Sequence, residues 1–372
     1  MVSTVGQSGT SIPALWRSHQ RRWFYWAGYY YVFYPDGVDL VYRSSPDGVN
    51  WSASHVLWAG WGFVPGIESG FDVYAQNGEV WIAASYGPGP VNQPLYYRTG
   101  TASGGVLTLT DWAVAYGPGL PVNYKIFRPS ICPNFVAFAR YTYGVSEYHR
   151  AMVARIGAAW DKALMFQGWG FGDTQDWHTD VLPMGENVVY AVGNSGGVHE
   201  GPSLIGRLCT WNPVTQTWTS DSLESIGTTG RSDWSLARDS SLNIQAVYST
   251  GKYRKRTAGV WGAETVVDSG LSNLTLKGDV PSIVFASGGD IWFRTLLNGG
   301  WSERQYIAHS EIAVNSVHAE EYHNAIGAAW TNAVWDPGHG IYITPFDVRF
   351  GLLDVPIIVS INKHYDLAKA QL

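Results

Sequence analysis

The residues best suited to chemistry are arginines, histidines and carboxylates near the starts of short β-rich runs. An arginine can neutralise a substrate carboxylate, a histidine can act as a general base, and a carboxylic acid can act as a general acid. On these grounds the catalytic candidates are Arg128, Asp279, His318 and Glu320. No local spacing ties them into one site, so the fold must bring them together. If the fold does not bring them together, these side chains only form hydrogen bonds with polar groups at the ends of strands.

Two pairs of residues alternate along strand-like segments: His178 with Asp180, and His318 with Glu320. Side chains two apart on a strand share a face, so either pair could hold a metal with a third ligand from elsewhere. His-x-Asp is common on strands, however, and the two cysteines have no partner at zinc spacing. We therefore predict no metal site and no cofactor, and we expect the cysteines to be free, mostly buried thiols.

Two loops, at 60–63 and 168–171, share a Gly-Trp-Gly-Phe core. Exposed aromatic side chains are costly in water unless they are covered or used, and they are suited to stacking on sugar faces. These loops therefore either pack over the mouth of a channel or form a binding surface. The candidate ligand-binding residues are Trp61, Phe63, Trp169, Phe171, Arg128, His178, Asp180 and Asp233.

The stretch at 39–52, DLVYRSSPDGVNWS, predicts a strand, a tight turn and a return into a tryptophan. Pro46 presets one turn dihedral, and Gly48 accepts the positive φ that such turns often need. The core formed by Ser45, Asp47, Gly48 and Trp51 resembles the Asp-box of sialidase-like β-propellers, with one residue fewer than usual between Asp and Gly. The resemblance implies a structural turn between the outer strands of a blade. The segment at 211–218 similarly resembles the kelch-type ending of a blade.

The sialidase resemblance also implies a catalytic set of three arginines, a tyrosine nucleophile activated by a glutamate, and an aspartic acid. Phe127-Arg128-Pro129 resembles the Arg-Ile-Pro element of that family, but the middle residue is missing and the element lies far along the chain. The arginine triad is therefore not assigned.

The elements that must position these residues are short runs separated by Gly, Pro, Asn and Asp, which is typical of an all-β protein. The runs group into seven four-stranded units, which predicts a single β-propeller over 1–350, with a non-propeller tail at 351–372. The last unit lacks a fourth strand, and the N-terminal segment at 2–12 is expected to supply it. In such a ring the first strands line a central channel. The polar residues expected to converge there are Arg21, Arg22, Asp72, Arg128, His178, Asp180, Asp233, Asp279, His318, Glu320 and Glu321.

Composition narrows the function. Of the 372 residues, 15% are charged and 15% aromatic, which argues against disorder. The net charge of −6 argues against a nucleic-acid partner. The N-terminus does not resemble a secretory signal, and the apolar run at 355–361 is too short to span a bilayer. The sequence therefore predicts a soluble protein that is made in the cytoplasm and does not insert into membranes.

Two functions remain open. The first is a non-enzymatic β-propeller used for binding or assembly, as a virion component (phage tail or capsid-associated) or a surface protein. It would have glycan-recognition capacity and protein partners docked through its C-terminal tail. The alternative is a sialidase-like glycoside hydrolase or polysaccharide lyase that acts at the mouth of the channel.

Overall fold

The computed structural model describes residues 2–8, 21–61, 70–85, 94–117, 124–142, 148–168, 178–195, 203–228, 234–249, 251–269, 271–277, 279–287, 289–309, 314–322, 325–332, 334–336, 341–343 and 346–354. Within these residues the protein is all-β apart from one short 3-10 helix, Trp160–Lys162. Every strand pairing among them is antiparallel, and consecutive strands usually pair with each other.

The first half of the chain forms an N-terminal strand and three blades. The first strand, β1, covers Val2–Ser8 and pairs with the far end of the chain. Blade 1 contains β2 (Trp23–Trp26), β3 (Tyr29–Pro35), β4 (Leu40–Ser45) and β5 (His55–Trp58). Blade 2 contains β6 (Phe71–Gln76), β7 (Glu79–Ser85), β8 (Leu95–Ser103), β9 (Val106–Leu109) and β10 (Ala113–Tyr116). Blade 3 contains β11 (Tyr124–Cys132), β12 (Phe135–Thr142), β13 (Tyr148–Arg155) and β14 (Leu164–Gly168).

Three further blades follow. Blade 4 contains β15 (Thr179–Gly185), β16 (Val188–Ser195), β17 (Ser203–Asn212), β18 (Thr217–Ser220) and β19 (Glu224–Thr228). Blade 5 contains β20 (Trp234–Arg238), β21 (Ile244–Tyr248), β22 (Lys252–Thr257), β23 (Val260–Trp261) and β24 (Thr265–Val266). Blade 6 contains β25 (Leu271–Lys277), β26 (Val280–Ser287), β27 (Asp290–Leu297), β28 (Gly300–Trp301) and β29 (Gln305–His309).

The remaining large sheet joins both ends of the chain, and we call it the composite sheet. Its strand order is β30 (Val314–Tyr322), β31 (Ala325–Asn332), β34 (Phe346–Asp354) and then β1. A separate two-stranded sheet pairs β32 (Val334–Asp336) with β33 (Ile341–Ile343). Strand β30 contacts β25 of blade 6 and β2 of blade 1, so the composite sheet lies between these two blades.

The core lies between neighbouring blades, because the second strand of each blade is covered on both faces. Strand β3 is rich in tyrosine and all but its first residue are buried, and all five residues of β21 are buried. The outer strand β18, by contrast, is almost entirely exposed. Such continuous apolar strands are expected where a sheet is sandwiched between two others. The first strands of successive blades contact one another and so surround the central axis.

The all-β single propeller predicted from the sequence is confirmed, but the prediction of seven uniform four-stranded blades is wrong. Among the described residues, six blades are built from consecutive strands, and four of these contain a fifth strand. The extra strand arises because the outer position is divided between two short strands on the same neighbour, as with β18 and β19 on β17.

The two chain ends differ in detail from the sequence boundaries. Strand β34 continues to Asp354, so the boundary placed at 350/351 falls inside a strand. Strand β1 occupies residues 2–8 of the 2–12 segment. Residues 9–12 and 355–372 lie outside the described residues.

Candidate functional site

The Asp-box turn between β4 and β5 is held by hydrogen bonds within itself. Asp47 Oδ1 accepts from the Asn50 amide at 2.8 Å and from the Ser45 hydroxyl at 2.9 Å. Gly48 has a φ of +70° and donates its amide to Ser45 Oγ at 2.9 Å. The bonds from Asn50 hold the pKa of Asp47 well below its usual range. Trp51 packs against the core beneath, so these four residues act as a structural turn.

Around the axis, the first strands of three blades meet at Arg21, which lies just before β2. Arg21 Nη2 is 2.6 Å from Asp72 Oδ2 on β6. The same nitrogen donates to Ser130 Oγ at 3.0 Å and to the Ile131 carbonyl at 2.6 Å, both on β11. The Ile131 amide in turn donates to Asp72 Oδ2 at 2.8 Å. One guanidinium group therefore connects blades 1, 2 and 3.

Asp180 on β15 extends this network to blade 4, and we call Arg21, Asp72, Ser130 and Asp180 the channel cluster. Asp180 Oδ1 accepts from Ser130 Oγ at 2.7 Å and lies 3.8 Å from Arg21 Nη2. Burial raises the pKa of Asp180 to about 7, although the positive charge of Arg21 opposes the shift. Burial lowers the pKa of Arg21, but the charges of Asp72 and Asp180 outweigh it, so its pKa is raised.

The channel cluster can in principle do acid–base chemistry, because a carboxylic acid with a pKa near neutrality can both give and take a proton. Its access is limited. The side chains of Asp72 and Asp180 are 0% and 5% exposed, whereas that of Arg21 is 20% exposed. A molecule in the channel would therefore meet Arg21 before either carboxylate.

Arg128 and His178 form a separate buried pair. Arg128 lies on β11 at a β-bulge in the pairing with β12, and its φ of +54° is unusual for a residue with a side chain. Arg128 Nη1 is 3.4 Å from His178 Nε2. The His178 amide donates to Asn194 Oδ1 at 2.8 Å, and its ring lies edge-on to Trp234. In the described contacts His178 therefore bonds Arg128 and Asn194, whereas Asp180 bonds Ser130.

The other catalytic candidates do not join this region through any described contact. Asp279, in the turn between β25 and β26, is exposed and accepts from the amide of Ser240 at 2.7 Å and from its hydroxyl. These two bonds lower the pKa of Asp279. His318 and Glu320 lie on β30, opposite Ala329 and Gly327 of β31. Only their backbone positions are described.

Of the aromatic residues in the two Gly-Trp-Gly-Phe loops, the structure describes Trp61. Trp61 is 1% exposed and packs edge-on against Phe71, with 5.8 Å between ring centroids. It belongs to the core between blades 1 and 2, so its ring is covered by neighbouring side chains. The candidates Phe63, Trp169, Phe171 and Asp233 lie outside the described residues.

Sequence reasoning missed Ser130, which bonds both Arg21 and Asp180, and Tyr74, whose ring lies 4.9 Å from the Arg21 guanidinium carbon. Ser130 follows the Arg128-Pro129 pair that drew attention, but a single serine carries no pattern of its own. Within the part of the chain that the structure describes, no group of three His, Cys, Asp or Glu side chains could hold a metal ion. No helix there has the length and apolar character needed to cross a membrane.

No protein-family profile matches the chain, and no curated protein matches it in sequence. Solved structures do match in shape. A candidate 6-phosphogluconolactonase from Bacteroides fragilis is 11% identical, with a TM-score of 0.50 over 87% of this chain and 96% of that chain. The fold is a β-propeller.

More distant matches include two glycan-related enzymes. A Trypanosoma rangeli sialidase is 7% identical, with a TM-score of 0.43 over 85% of this chain and 58% of that chain. An endo-arabinase from Bacteroides thetaiotaomicron is 11% identical, with a TM-score of 0.36 over 71% of this chain and 96% of that chain. At such identities the similarity concerns the fold alone, and propellers carry many unrelated functions.

Proposed function

We propose that the protein is a non-enzymatic β-propeller that recognises glycans and takes part in an assembly, as a component of a virion or of a surface. One observation carries the proposal. The described side chains that were candidates for catalysis are engaged in separate internal contacts, with Arg128 against His178 and Asp279 on Ser240. A hydrolase needs two catalytic groups facing one substrate across a cleft.

The channel cluster supports the same proposal. The Arg21 guanidinium donates hydrogen bonds to Asp72, Ser130 and the Ile131 carbonyl, and these bonds connect the blades. An arginine that neutralised a ligand carboxylate would instead direct its paired N–H groups at the ligand. We therefore expect recognition to occur on the blades rather than on the channel wall.

The test is to incubate the protein with a panel of defined glycans and to measure both retention and products by mass spectrometry. The proposal expects saturable retention of at least one glycan, which is recovered intact after long incubation. Release of a shorter product at a rate that depends on protein concentration would overturn it.

Assembly through the C-terminal tail is a further part of the proposal, and residues 355–372 can be removed without shortening β34. If the tail docks on a partner or on a second copy, the full chain is oligomeric by light scattering and the 1–354 chain is a monomer. If both chains are monodisperse monomers, the tail has no role in self-assembly. A pull-down that compares the two chains then tests for docking on a different protein.

A second candidate, a glycoside hydrolase or lyase, is favoured by Asp180, since burial raises its pKa to about 7 beside Asp72 and Arg21. A carboxylic acid protonated near neutrality suits the role of general acid. In this case a glycan is cleaved by the wild-type protein, and Asp180→Asn abolishes cleavage while the protein stays folded. Cleavage that survives this substitution would exclude Asp180 as the acid.

A further inference from the structure

A cavity of about 480 Å³ lies where β1 of the composite sheet meets blade 1, and we call this junction the seam. This volume falls within the range of small-molecule sites. Its lining is partly polar and partly apolar and comes from both sides of the seam: Thr4, Val5, Gly6 and Gln7 on β1, and Tyr34, Asp36, Arg43 and Ser54 in blade 1.

Arg43 is held in place at the seam by two hydrogen bonds. Its Nε donates to Ser54 Oγ at 3.0 Å, and its Nη1 donates to the Val5 carbonyl at 2.9 Å. Its third nitrogen, Nη2, makes no hydrogen bond to any residue that the structure describes. A guanidinium fixed through two of its nitrogens has already lost most of its side-chain entropy, so binding a ligand through the third costs little more.

Asp36 supplies a fixed acceptor in the same cavity. Its Oδ1 accepts from the amides of Val38 at 3.0 Å and Asp39 at 2.8 Å, which holds the carboxylate at the start of a turn. Its Oδ2 accepts no hydrogen bond from the described residues. The cavity therefore offers a rigid donor group and a rigid acceptor group of opposite charge.

The other lining residues include hydroxyl side chains and define the shape of the cavity. Thr4 is exposed and lines the cavity, whereas Tyr34 is buried and forms a wall. A Cβ at Gly6 would come within 2.2 Å of the Tyr34 hydroxyl oxygen, so only glycine leaves that wall where it is. Groups of opposite charge lining one cavity suit a neutral ligand with several hydroxyls, which can donate to a carboxylate and accept from a guanidinium.

We propose that the seam cavity binds one neutral sugar unit of a glycan, with Arg43 and Asp36 as the polar contacts. This proposal rests on the proposed function and adds its location and ligand class. Because four lining residues belong to β1, a bound sugar also fastens the N-terminal strand to blade 1. Arg254 occupies the equivalent place in blade 5, with Nε on the Gly262 carbonyl and Nη1 on Ile226, but its Nη2 lies 3.4 Å from the Trp261 carbonyl.

The test is an array of immobilised neutral glycosides (β-galactoside, β-N-acetylglucosaminide and α-mannoside) probed with the wild-type protein and three variants. Asp36→Asn keeps the acceptor for the turn amides but replaces an outer acceptor with a donor. Thr4→Trp fills the cavity from its exposed edge. Asp221→Asn, an exposed site on blade 4, is the charge-matched control.

The expected result is binding by the wild type and the control, with about a tenfold or greater loss for Asp36→Asn, as for the loss of one charged hydrogen bond. Thr4→Trp should lose at least as much, because its ring occupies the space of the ligand. Circular dichroism and the melting temperature establish that each variant is folded. If the wild type binds a glycoside and both variants bind it equally well, the seam is not the site, although the proposed function stands. If the wild type retains no glycan on this array or on the wider panel, the proposed function fails as well.

Discussion

Asp47 contributes stability through hydrogen bonds that only its ionised form makes well. The bonds from Asn50 depress its pKa, so this stability is present above the unfolded pKa and is lost as the pH falls through the folded one. We expect Asp47→Ala to lower the free energy of unfolding at pH 7, and the difference from wild type to shrink below about pH 4. Urea denaturation across this range measures it. An equal loss of unfolding free energy at every pH, or an equal loss in the exposed control Asp221→Ala, would contradict a stabilising role for ionised Asp47.

Asp180 gives the opposite pH dependence. Its pKa is raised by burial to about 7, so its protonated form favours the folded state. Its stability contribution is complete below the unfolded pKa of about 4 and is lost as the pH rises to 7. Asp180→Asn keeps an acceptor for Ser130 but cannot titrate. We therefore expect its free energy of unfolding not to fall in this way as the pH rises.

The measurement for Asp180→Asn is the free energy of unfolding of wild type and variant at intervals from pH 4 to pH 8. We expect the free energy of unfolding of the variant to rise relative to that of the wild type as the pH rises. A difference that does not vary with pH would show that Asp180 does not titrate in this window.

At this scale the sequence predicted what is local. Ser45, Asp47 and Gly48 bond within four residues of one another, so their spacing alone indicates the turn. The pairing of Arg128 with His178 joins residues 50 apart and depends on a β-bulge, and no spacing encodes either. The burial of Trp61 likewise depends on Phe71 of the neighbouring blade, which its own loop sequence does not indicate.

Between neighbouring blades, the same arginine hydrogen-bonding arrangement recurs. In four blades an arginine on the third strand donates Nη1 to a carbonyl on the outer part of the preceding sheet: Arg43 to Val5, Arg98 to Leu57, Arg254 to Ile226 and Arg294 to Val267. Each also donates Nε within its own blade. A planar fork that is always charged suits this bridging role, whereas lysine cannot reproduce it.

We expect Arg98→Met to lower the free energy of unfolding by about 1–3 kcal/mol, because it leaves the Leu57 and Thr110 carbonyls without their charged donor. Arg98→Lys should recover only part of this loss. Chemical denaturation measures both. The control is Arg207→Met, whose Nη1 bonds Ser220 of its own blade. Equal losses at positions 98 and 207 would exclude a special role for bonds between blades.

Tryptophans that follow the outer turns of the blades contact neighbouring blades, and the basic run at 252–256 lies on strand β22. Trp218 Nε1 donates to the Lys162 carbonyl of blade 3 at 2.7 Å, and Trp301 packs edge-on against Tyr253 of blade 5. In the basic run, Lys252 pairs with Glu264. The position of each tryptophan after its turn was visible in sequence, but the partner blade was not.

For the whole molecule, the closing contact is between β1 and blade 1. Val5 is fully buried in a cluster with blade 1, and its carbonyl accepts from Arg43 as Ile226 accepts from Arg254. The composite sheet therefore meets blade 1 as blade 4 meets blade 5. The missing fourth strand of the last unit predicted that the chain ends pair, and they do, but the arginine that joins β1 to blade 1 appears only in the structure.

We expect Val5→Ala to cost about 1–2 kcal/mol, the value of two buried methyl groups. Removal of residues 2–8 should expose the edge of β34 and cause aggregation. Denaturation and light scattering measure the two effects, with the half-exposed Val106→Ala as the control. A monomeric, fully stable 9–372 chain would show that β1 does not close the propeller.

The most direct test of the account is hydrogen exchange by mass spectrometry, with and without the glycan that the array identifies. The account predicts slower exchange at residues 2–8 and 34–54, on both sides of the seam, with no change at the channel cluster. Protection around Asp72, Ser130 and Asp180 instead would place the ligand in the channel and contradict the account.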